Sequence, residues 1–345
     1  YQRVIPWCFM ITMKNPAEVS ATLFNAIQST EKDRLDYVDD YQDLYTTSET
    51  LDIELFQIPS VGLFAAMAHR ANKPGSAIYR WNHGHFQLYQ NISTFKAQAW
   101  KQFTVGRKMF LAVSNSVGPA DGERELSVIY RWSNKRLKFV RYQTLETHSA
   151  RDWEAFHINN EAFLAVANHR TGWSNNGALG LNQVFPRCLA RLIHNCPRIL
   201  FNGSHIMSFQ AHMTFFDLFI TKYLTFEDTF NGNHNIDSVV YKWNPGTKTF
   251  EVNQTISTSG AYDWEFFTVG PYHFLAVANA FDDFFFSLIV FVPDRWQGYE
   301  GFVPVHWLPT IGCSDWEFFT SAEGSYLMYS SAKTPLSKVF KLRIH

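Results

Sequence analysis

The sequence predicts an all-β fold, a seven-bladed β-propeller made of four-stranded antiparallel blades. The first observation behind this prediction is an internal repeat of roughly 49 residues that runs through the whole chain of 345 residues. The second is that each repeat holds four short aromatic and β-branched runs, separated by clusters of Gly, Asn, Asp and Ser. The third is that no segment of comparable strength has a helical period. Four strands in a repeat of this length are typical of one propeller blade.

The composition agrees with strands and excludes several other classes of protein. Aromatic residues reach 17%, and hydrophobic residues at 46% against charged residues at 18% exclude intrinsic disorder. Lys and Arg number 30 against 31 Asp and Glu, and no basic stripe is evident, so no nucleic-acid partner is expected. The apolar run at 284–292 is far shorter than the ~20 residues of a membrane-spanning helix, so no membrane insertion is predicted.

The first two runs of the repeat are clearest at residues 263–267, Asp-Trp-Glu-Phe-Phe, and 274–279, Phe-Leu-Ala-Val-Ala-Asn. Further copies contain Trp100, Trp153 and Trp316, and in each copy the Trp precedes the second run by ten positions. The third run reads Tyr-Arg-Trp or Tyr-Lys-Trp, and the fourth extends from a Phe to a Gln. Copies of the third and fourth runs occupy 78–81 with 86–90, 129–132 with 139–143, and 240–243 with 250–254.

Degenerate copies complete the count of seven units. Ile53 and Phe216 take the Trp position in two of them. One anchor falls before residue 1, and the others lie at positions 53, 100, 153, 216, 264 and 316. The first unit begins inside its first strand and includes residues 41–44 in its fourth run, whereas the last unit ends after three strands. We therefore predict one domain over residues 1–345, with incomplete first and last blades and an irregular excursion at 186–215.

The ends of the chain carry a further expectation. The first residue is Tyr1 and no signal peptide is visible, so we expect the chain to be a segment of a longer protein. A last blade of three strands would leave an unpaired edge, which invites aggregation. We therefore expect a strand from upstream of this segment to complete the last blade.

The three runs Asp-Trp-Glu-x-Phe, Phe-Leu-Ala-Val-Ala-Asn and Tyr-Lys/Arg-Trp, at this spacing, resemble the EAR (epilepsy-associated) repeat, also called the EPTP or epitempin repeat. The resemblance covers essentially the whole chain, and neither the Trp-Asp signature of WD40 blades nor the Gly-Gly pair of kelch blades recurs. It implies an extracellular propeller for protein recognition, at synapses or between sensory hair-cell membranes. No leucine-rich repeat precedes the propeller, which favours a parent among the family's large adhesion receptors or laminin G proteins. The departures from the pattern are Ile53, Phe216 and the excursion at 186–215.

Carboxylates recur beside the Trp position. A strand period of two puts Asp315 and Glu317 on one face of their run and Trp316 on the other. If these runs are the innermost strands, carboxylates of several blades converge on the central channel, namely Asp52, Asp152, Asp263 and Asp315, each followed two positions later by Glu54, Glu154, Glu265 and Glu317. Either a structural Ca²⁺ neutralises them, or each carboxylate caps a strand end or pairs with an Arg or a backbone N–H of the neighbouring blade.

Other candidate residues carry weaker signals. The Trp that recurs once per blade is expected to fill the core between blades, and a sugar-binding aromatic platform is the less favoured interpretation. His83 and His85 form one spacing compatible with a metal, and a second cluster comprises Cys188, His194, Cys196 and His205, but neither matches a specific zinc template. The cysteines allow two disulfides in an oxidising compartment, Cys188–Cys196 and Cys8–Cys313, with four reduced thiols as the alternative.

Glycosylation sequons and the lack of catalytic motifs are compatible with the function that the resemblance implies. Sequons occur at Asn91, Asn202 and Asn253, and two of them, Asn91 and Asn253, fall in the fourth run, the expected outer strand. No Gly-x-Ser-x-Gly, Walker or His-Glu-x-x-His element is present. We predict a non-enzymatic, extracellular module for protein recognition or adhesion, part of a larger cell-surface or secreted protein, whose partner is another extracellular or cell-surface protein. The alternative is a carbohydrate-binding or glycoside-hydrolysing propeller, because two carboxylates facing a cleft can hydrolyse glycosides.

Overall fold

A computed structural model describes residues 35–118, 126–158, 161–168, 183–185, 218–221, 235–270, 272–279, 286–292 and 302–344 of the protein. These residues form 22 β-strands and no helix, so the predicted all-β class is confirmed. In this described part of the chain, nothing helical is long and apolar enough to span a lipid bilayer.

The strands are short and follow one another closely. The first eleven are β1 (Leu35–Tyr45), β2 (Thr50–Ile58), β3 (Gly62–His69), β4 (Ser76–Asn82), β5 (His85–Ile92), β6 (Ala97–Val105), β7 (Lys108–Asn115), β8 (Leu126–Ser133), β9 (Lys138–Glu146), β10 (Ala150–Ile158) and β11 (Glu161–Asn168). The other eleven are β12 (Gln183–Phe185), β13 (Leu218–Thr221), β14 (Asn235–Asn244), β15 (Thr249–Ser259), β16 (Ala261–Val269), β17 (Tyr272–Asn279), β18 (Phe286–Val292), β19 (Val303–Pro309), β20 (Cys313–Ser321), β21 (Gly324–Ser331) and β22 (Leu336–Ile344).

Hydrogen bonds join these strands into six antiparallel sheets, which we number as blades in chain order. Blades 1, 2 and 5 each contain four consecutive strands, β2–β5, β6–β9 and β16–β19. Blades 3 and 4 contain three strands each among the described residues, β10–β12 and β13–β15. Blade 6 contains β20–β22 and takes β1 as its fourth strand.

The position of β1 corrects two expectations about the ends of the chain. Residues 41–44 do not close a first unit, because β1 pairs antiparallel with β22, from Leu35 opposite Ile344 to Tyr45 opposite Leu336. The strand expected from upstream is therefore present in this chain, and blade 6 is complete. The error has a simple cause: a fourth-strand run looks the same locally whether it completes its own unit or the unit at the other end of the ring.

The inner strands give the propeller its architecture. The first strands of blades 5, 6, 1, 2 and 3 lie side by side, in the order β16, β20, β2, β6 and β10. Blade 6 packs directly on blade 1, since Phe319 and Tyr326 share one core with Ile53 and Phe86. The molecule is thus a β-propeller, whereas the predicted count of seven blades is not confirmed, because the described residues contain six sheets.

Blade 4 departs from the predicted register. Leu218 of β13 lies opposite Lys242 of β14, just as Phe110 lies opposite Arg131 in blade 2. β13 therefore holds the second-strand position, whereas the anchor predicted at Phe216 would make it a first strand. Without a Trp, one short aromatic run resembles another, and the ten-residue step cannot separate them. The excursion predicted at 186–215 lies outside the described residues.

The recurrent Trp side chains fill the spaces between blades, as predicted. Their exposed fractions are 1%, 1%, 6% and 0% at positions Trp100, Trp153, Trp264 and Trp316, and Ile53 in the same position is 2% exposed. Trp100 packs with Phe56 and Phe64 of the preceding blade. The same relation joins Trp316 to blade 5 and Trp153 to blade 2. The repeated aromatic residues are therefore core residues of the joints.

Candidate functional site

The Asp of the inner strand reaches across to the next blade. The backbone N–H of Trp100 donates to Oδ2 of Asp52 at 2.8 Å. Ile53, at the Trp position of blade 1, donates in the same way to Oδ2 of Asp315 at 2.7 Å. Trp316 donates to Oδ2 of Asp263 at 3.3 Å. The Asp of one blade thus accepts the backbone N–H at the anchor position of the following blade.

The Glu two positions later makes a second bond of the same kind. The N–H of Gln102 donates to Oε1 of Glu54 at 2.7 Å, and the N–H of Phe318 donates to Oε1 of Glu265 at 3.1 Å. The strand period of two places Asp and Glu on one face of the inner strand, toward the following blade. Of the two interpretations of the carboxylates, the backbone-accepting one is therefore seen in the geometry.

A β-bulge explains how the Asp is aimed. In blade 5 the register moves from Ala261 opposite Asn279 to Asp263 opposite Ala278, so one residue is skipped immediately before the Asp. The same shift precedes Asp152 and Asp315. A bulge bends the strand and re-aims the side chains beside it. The inner strand is therefore twisted at the point where the carboxylate must cross to its neighbour.

Convergence of these carboxylates disfavours their ionised form. Burial raises the pKa of Asp52 and of Asp315, and repulsion from Asp263 adds to both shifts. A side-chain hydrogen bond with Asp263 raises the pKa of Asp315 further. Burial also raises the pKa of Glu265 to about 8 and that of Glu54 to about 7. These buried carboxyl groups therefore favour the protonated form at a higher pH than exposed ones do.

Blade 2 breaks the pattern and compensates for it. Ala99 and Lys101 stand where blades 1, 3, 5 and 6 have Asp and Glu, so blade 2 cannot accept the N–H of Trp153. That N–H instead donates to Oδ1 of Asp152 at 2.7 Å, a carboxylate of its own blade. Nζ of Lys101 lies 3.3 Å from Oε2 of Glu154. An ion pair thus replaces the carboxylate-to-backbone bonds at the joint between blades 2 and 3.

Lys101 is held charged by its neighbours. Burial works to lower the pKa of Lys101, but the charges of Glu54, Glu154 and Asp152 outweigh burial and raise it. In return, Lys101 opposes the upward pKa shifts of Glu54 and Glu154 that burial causes. The Ca²⁺ site at Asp52, Asp152, Asp263 and Asp315 stays a prediction. Among the described residues, no group of three or more His, Cys, Asp and Glu side chains is placed to hold a metal ion.

The outer strands carry a second joint that the sequence analysis missed. The N–H of Phe139 donates to Oε1 of Gln90 at 3.0 Å, and Nε2 of Gln90 donates to the carbonyl of Phe139 at 2.9 Å. Gln254 makes the same pair of bonds to Phe302, at 2.6 and 2.7 Å. We call this arrangement the glutamine clasp. One amide thus satisfies both backbone groups of a residue in the next blade.

The clasp also depends on a β-bulge. The register of the outer strand jumps from Leu88 opposite Tyr79 to Gln90 opposite Ile78, leaving Tyr89 out of the ladder. The residue directly before the Gln is likewise left out of the ladder at Gln143, at Gln254 and at Gln42 of β1. The signal was visible in the sequence, because the fourth runs at 86–90, 139–143 and 250–254 all extend from a Phe to a Gln. A role could not be assigned without knowing that this Phe is the partner of the preceding blade's Gln.

The predicted glycosylation sites are accessible where the structure describes them. The side chains of Asn91 and Asn253 are exposed on the outer strands β5 and β15, as predicted. Asn202 lies outside the described residues. Asn253 occupies the bulge immediately before the clasping Gln254, so its side chain is turned out of the regular ladder.

The predicted cysteine and histidine clusters are largely outside the described residues. Cys313 is buried on β20, and its Sγ lies 3.8 Å from the carbonyl of Asp315. Its predicted partner Cys8, and the cluster of Cys188, His194, Cys196 and His205, are not described. His83 lies in the turn between β4 and β5, and His85 begins β5, where its ring stacks on Tyr41 of β1 at 5.3 Å. His85 therefore helps to seat the closing strand against blade 1.

Comparisons with known proteins agree with the repeat seen in sequence and structure. The EPTP domain model matches residues 85–133, 138–178 and 249–289. The thrombospondin-type laminin G domain and EAR repeat-containing proteins of Mus musculus and Homo sapiens are 44% and 43% identical over 90% of this chain. The chain spans 54% of each relative, about half its length. The crystal structure of Saccharomyces cerevisiae Sqt1 superposes with a TM-score of 0.45 at 10% identity, covering 88% of this chain and 99% of that chain. The resemblance to the EAR repeat is thus confirmed, and this chain belongs to the EPTP, or EAR, repeat family.

Proposed function

We propose that this chain is an extracellular, non-enzymatic module that binds another extracellular or cell-surface protein, as part of a larger secreted or cell-surface protein. The observation that carries the proposal is the use of the repeated polar side chains. Asp52, Glu54 and Gln90 all accept backbone N–H groups of the next blade. Because these groups hold the ring together, the repeat builds a rigid scaffold, and recognition is left to the loops and surfaces that differ between blades.

Two observations support the extracellular part of the proposal. Asn91 and Asn253 are exposed within intact sequons, and such sequons acquire glycans only in the secretory pathway. The relatives that share 43–44% identity are named for a thrombospondin-type laminin G domain beside their EAR repeats. A contact between cells, at synapses or sensory hair cells, is the setting that we propose for such a module.

The alternative of a glycoside hydrolase draws on the raised pKa values. A carboxylic acid that stays protonated near neutral pH is what a general acid needs, and burial raises the pKa of Glu265 to about 8. However, Oε1 of Glu265 accepts the N–H of Phe318, and Oε1 of Glu54 accepts the N–H of Gln102. These contacts recur by blade symmetry, whereas an active site requires one asymmetric pair. The non-enzymatic proposal is therefore the better supported one.

The experiment follows the chain through secretion and then to a partner. The chain is expressed behind a signal sequence, and we expect glycosylated protein in the medium, with a loss of mass on deglycosylation that Asn91→Gln and Asn253→Gln each reduce. Labelled protein is then added to intact cells before and after mild trypsin treatment of the cell surface. We expect trypsin to remove most of the binding. Retention of unglycosylated protein inside the cell, or equal binding to trypsin-treated cells, would overturn the respective part of the proposal.

A further inference from the structure

Two turns of blade 2 lie side by side at one end of the sheet. The first joins β6 to β7 through Gly106 and Arg107, and the second joins β8 to β9 through residues 134–137. Phe110 of β7 pairs with Arg131 of β8, so the start of β7 lies next to the end of β8. Neighbouring strands are about 4.8 Å apart, which places the two turns within roughly 10 Å of each other.

These turns gather positive charge that is scattered in the sequence. The basic turn cluster, as we name it, consists of five side chains, all exposed: Arg107, Lys108, Lys135, Arg136 and Lys138. No ion pair within the described residues involves any of them. The one acidic residue described in blade 2 is Glu146, at the opposite end of β9. The cluster is therefore an uncompensated patch on a chain whose net charge is −1.

The corresponding turns of other blades lack this charge. The turn between β4 and β5 contains His83 and Gly84, and the turn between β14 and β15 contains one cation, Lys248. The turn between β20 and β21 contains Glu323. Because the repeat does not need cations at these positions, the cluster is a property of blade 2 and is not part of the scaffold.

The backbone that carries the cluster is fixed. The N–H of Arg136 donates to the carbonyl of Ser133 at 3.1 Å, which closes the turn. The hydroxyl of Tyr89, from blade 1, donates to the carbonyl of Leu137. A fixed turn loses little conformational entropy when a ligand binds, so its side chains are pre-organised.

We propose that the basic turn cluster binds sulfated glycosaminoglycan. Guanidinium forks and ammonium groups match the oxygens of sulfate, and Arg can bind them through two parallel hydrogen bonds. Exposed cations spread over two adjacent turns suit a linear polyanion bound through charge, whatever its exact sequence. The proposal rests on the extracellular location proposed above, since sulfated glycosaminoglycans are found outside the cell.

Other polyanions fit the cluster less well. Single-stranded nucleic acid is bound with the help of aromatic side chains on which bases stack, and the exposed ring of Tyr142 in this blade already packs against Phe110 and lies under the Arg131 guanidinium. Anionic lipid is concentrated in the cytoplasmic leaflet, on the other side of the membrane from the proposed location. Val105 and Leu137 are exposed beside the cations, at 45% and 53%, and for this reason anionic vesicles belong in the test.

The test measures binding of the whole chain to immobilised heparin in 0.15 M NaCl. The test variant combines Lys135→Ala, Arg136→Ala and Lys138→Ala. The matched control removes three exposed cations elsewhere, with Lys73→Ala, Lys96→Ala and Lys248→Ala. We expect the test variant to lose at least about tenfold in affinity and to show a shallower dependence on salt, because fewer counterions are released. The control should bind as the natural sequence does, and both variants should melt as it does.

Three outcomes would overturn the proposal. They are equal losses in the two variants, undiminished binding to desulfated heparin, and tighter cluster-dependent binding to vesicles containing phosphatidylserine or to DNA than to heparin. Heparin lyase treatment of intact cells separates this proposal from the proposed function, because it removes the glycan and leaves surface proteins in place. Binding that is lost after trypsin treatment but kept after heparin lyase treatment would support a protein partner and count against the glycan.

Discussion

Gln42 and Phe86 lie 44 positions apart in the sequence, yet two hydrogen bonds join the side-chain amide of Gln42 to the backbone of Phe86. Oε1 of Gln42 accepts the N–H of Phe86, and Nε2 of Gln42 donates to its carbonyl, both at 2.9 Å. This is the glutamine clasp again, made between the last blade and the first. The joint that closes the ring therefore has the same chemistry as the joints between blades that follow one another in the chain.

Replacement of the clasping glutamine should weaken the propeller. Gln90→Ala leaves the N–H and the carbonyl of Phe139 without their partner, and Phe139 is 2% exposed. Leaving such a group unsatisfied costs ~1–3 kcal/mol, so we expect a loss of that order in the free energy of unfolding. Denaturant unfolding of the purified chain measures it.

Gln42→Ala should cost about the same, because it breaks the equivalent bonds at the closing joint. Gln87→Ala is the matched control, since Gln87 is exposed on the same strand as Gln90. A loss in the control equal to that of Gln90→Ala would show that the clasp adds nothing to the joint.

Truncation of the recurrent Trp should be more costly than loss of a clasp. Trp264 is 6% exposed and packs with Val240 and Ile256 of blade 4. Trp264→Ala should lower the free energy of unfolding by ~3–5 kcal/mol, the usual cost of removing a buried aromatic. Ile53→Ala should cost less, since a smaller volume is lost. Unchanged stability of Trp264→Ala would mean that this position is not part of the core between blades.

The stability of the ring should fall as the pH rises. Burial raises the pKa of Glu265 from its ordinary value near 4.5 to about 8. Between these two pH values the native state keeps a proton that the unfolded chain has released. Stability due to this proton is fully present below pH 4.5 and is lost as the pH rises through 8. Glu265→Gln keeps an oxygen for the N–H of Phe318 and removes the charge. In denaturant unfolding it should stabilise the chain at pH 8, by up to ~4 kcal/mol for a shift of this size, and by less than ~1 kcal/mol at pH 5.

Removal of the Lys101 charge should have the opposite effect to Glu265→Gln and destabilise the chain near neutral pH. Lys101→Met leaves Glu54 and Glu154 without the charge that attracts them. The side chains of Lys101 and Glu154 are 25% and 38% exposed, and solvent weakens their pairing, so we expect a loss of only ~1 kcal/mol at pH 7.5. At pH 5 the loss should shrink as the carboxylates gain protons. Lys338→Met, at the ion pairs with Asp40 and Asp43 on the outer edge, is the control; a pH dependence equal to that of Lys101→Met would contradict the assignment.

Calcium provides a separate test of the carboxylates. If Asp52, Asp152, Asp263 and Asp315 hold Ca²⁺, millimolar Ca²⁺ should raise the melting temperature near neutral pH, and the gain should fade as the pH drops. Asp152→Asn or Asp263→Asn should reduce the gain, whereas Asp237→Asn, at an exposed residue of β14, should not. A melting temperature that changes with neither Ca²⁺ nor chelator would contradict the Ca²⁺ site. The bonds to backbone N–H groups would then be the whole role of these residues.

The repeat allowed much of the fold to be predicted, because its markers are tied to core positions. The anchors at Trp100, Trp153, Trp264 and Trp316, and Ile53 in their place, all lie in inner strands. The error at β1 arose because a ring has no natural first unit, and pairing with β22 depends on contacts across the whole chain. Phe216 itself lies outside the described residues, but the register predicted for β13 was wrong because a short aromatic run without Trp fits two strand positions equally well.

The site was less predictable for a physical reason. The face occupied by Asp315 and Glu317 follows from the strand period, but the acceptor role depends on the neighbouring backbone, here the N–H of Ile53. The basic turn cluster was missed because Arg107 and Lys135 are distant in sequence and are brought together only by the pairing of β7 with β8. Linear inspection finds charge runs, and this patch is formed by two turns.

The direction of the glutamine clasp has a consequence for how such a ring could arise. In every described clasp the Gln belongs to the earlier blade around the ring and the clasped Phe to the next. One unit therefore carries the Gln side chain on one flank and the Phe backbone groups that such a side chain binds on the other. This is the head-to-tail arrangement from which closed rings are built. Copying a single unit would supply both halves of a new joint at once, without any compensating substitution in its neighbours.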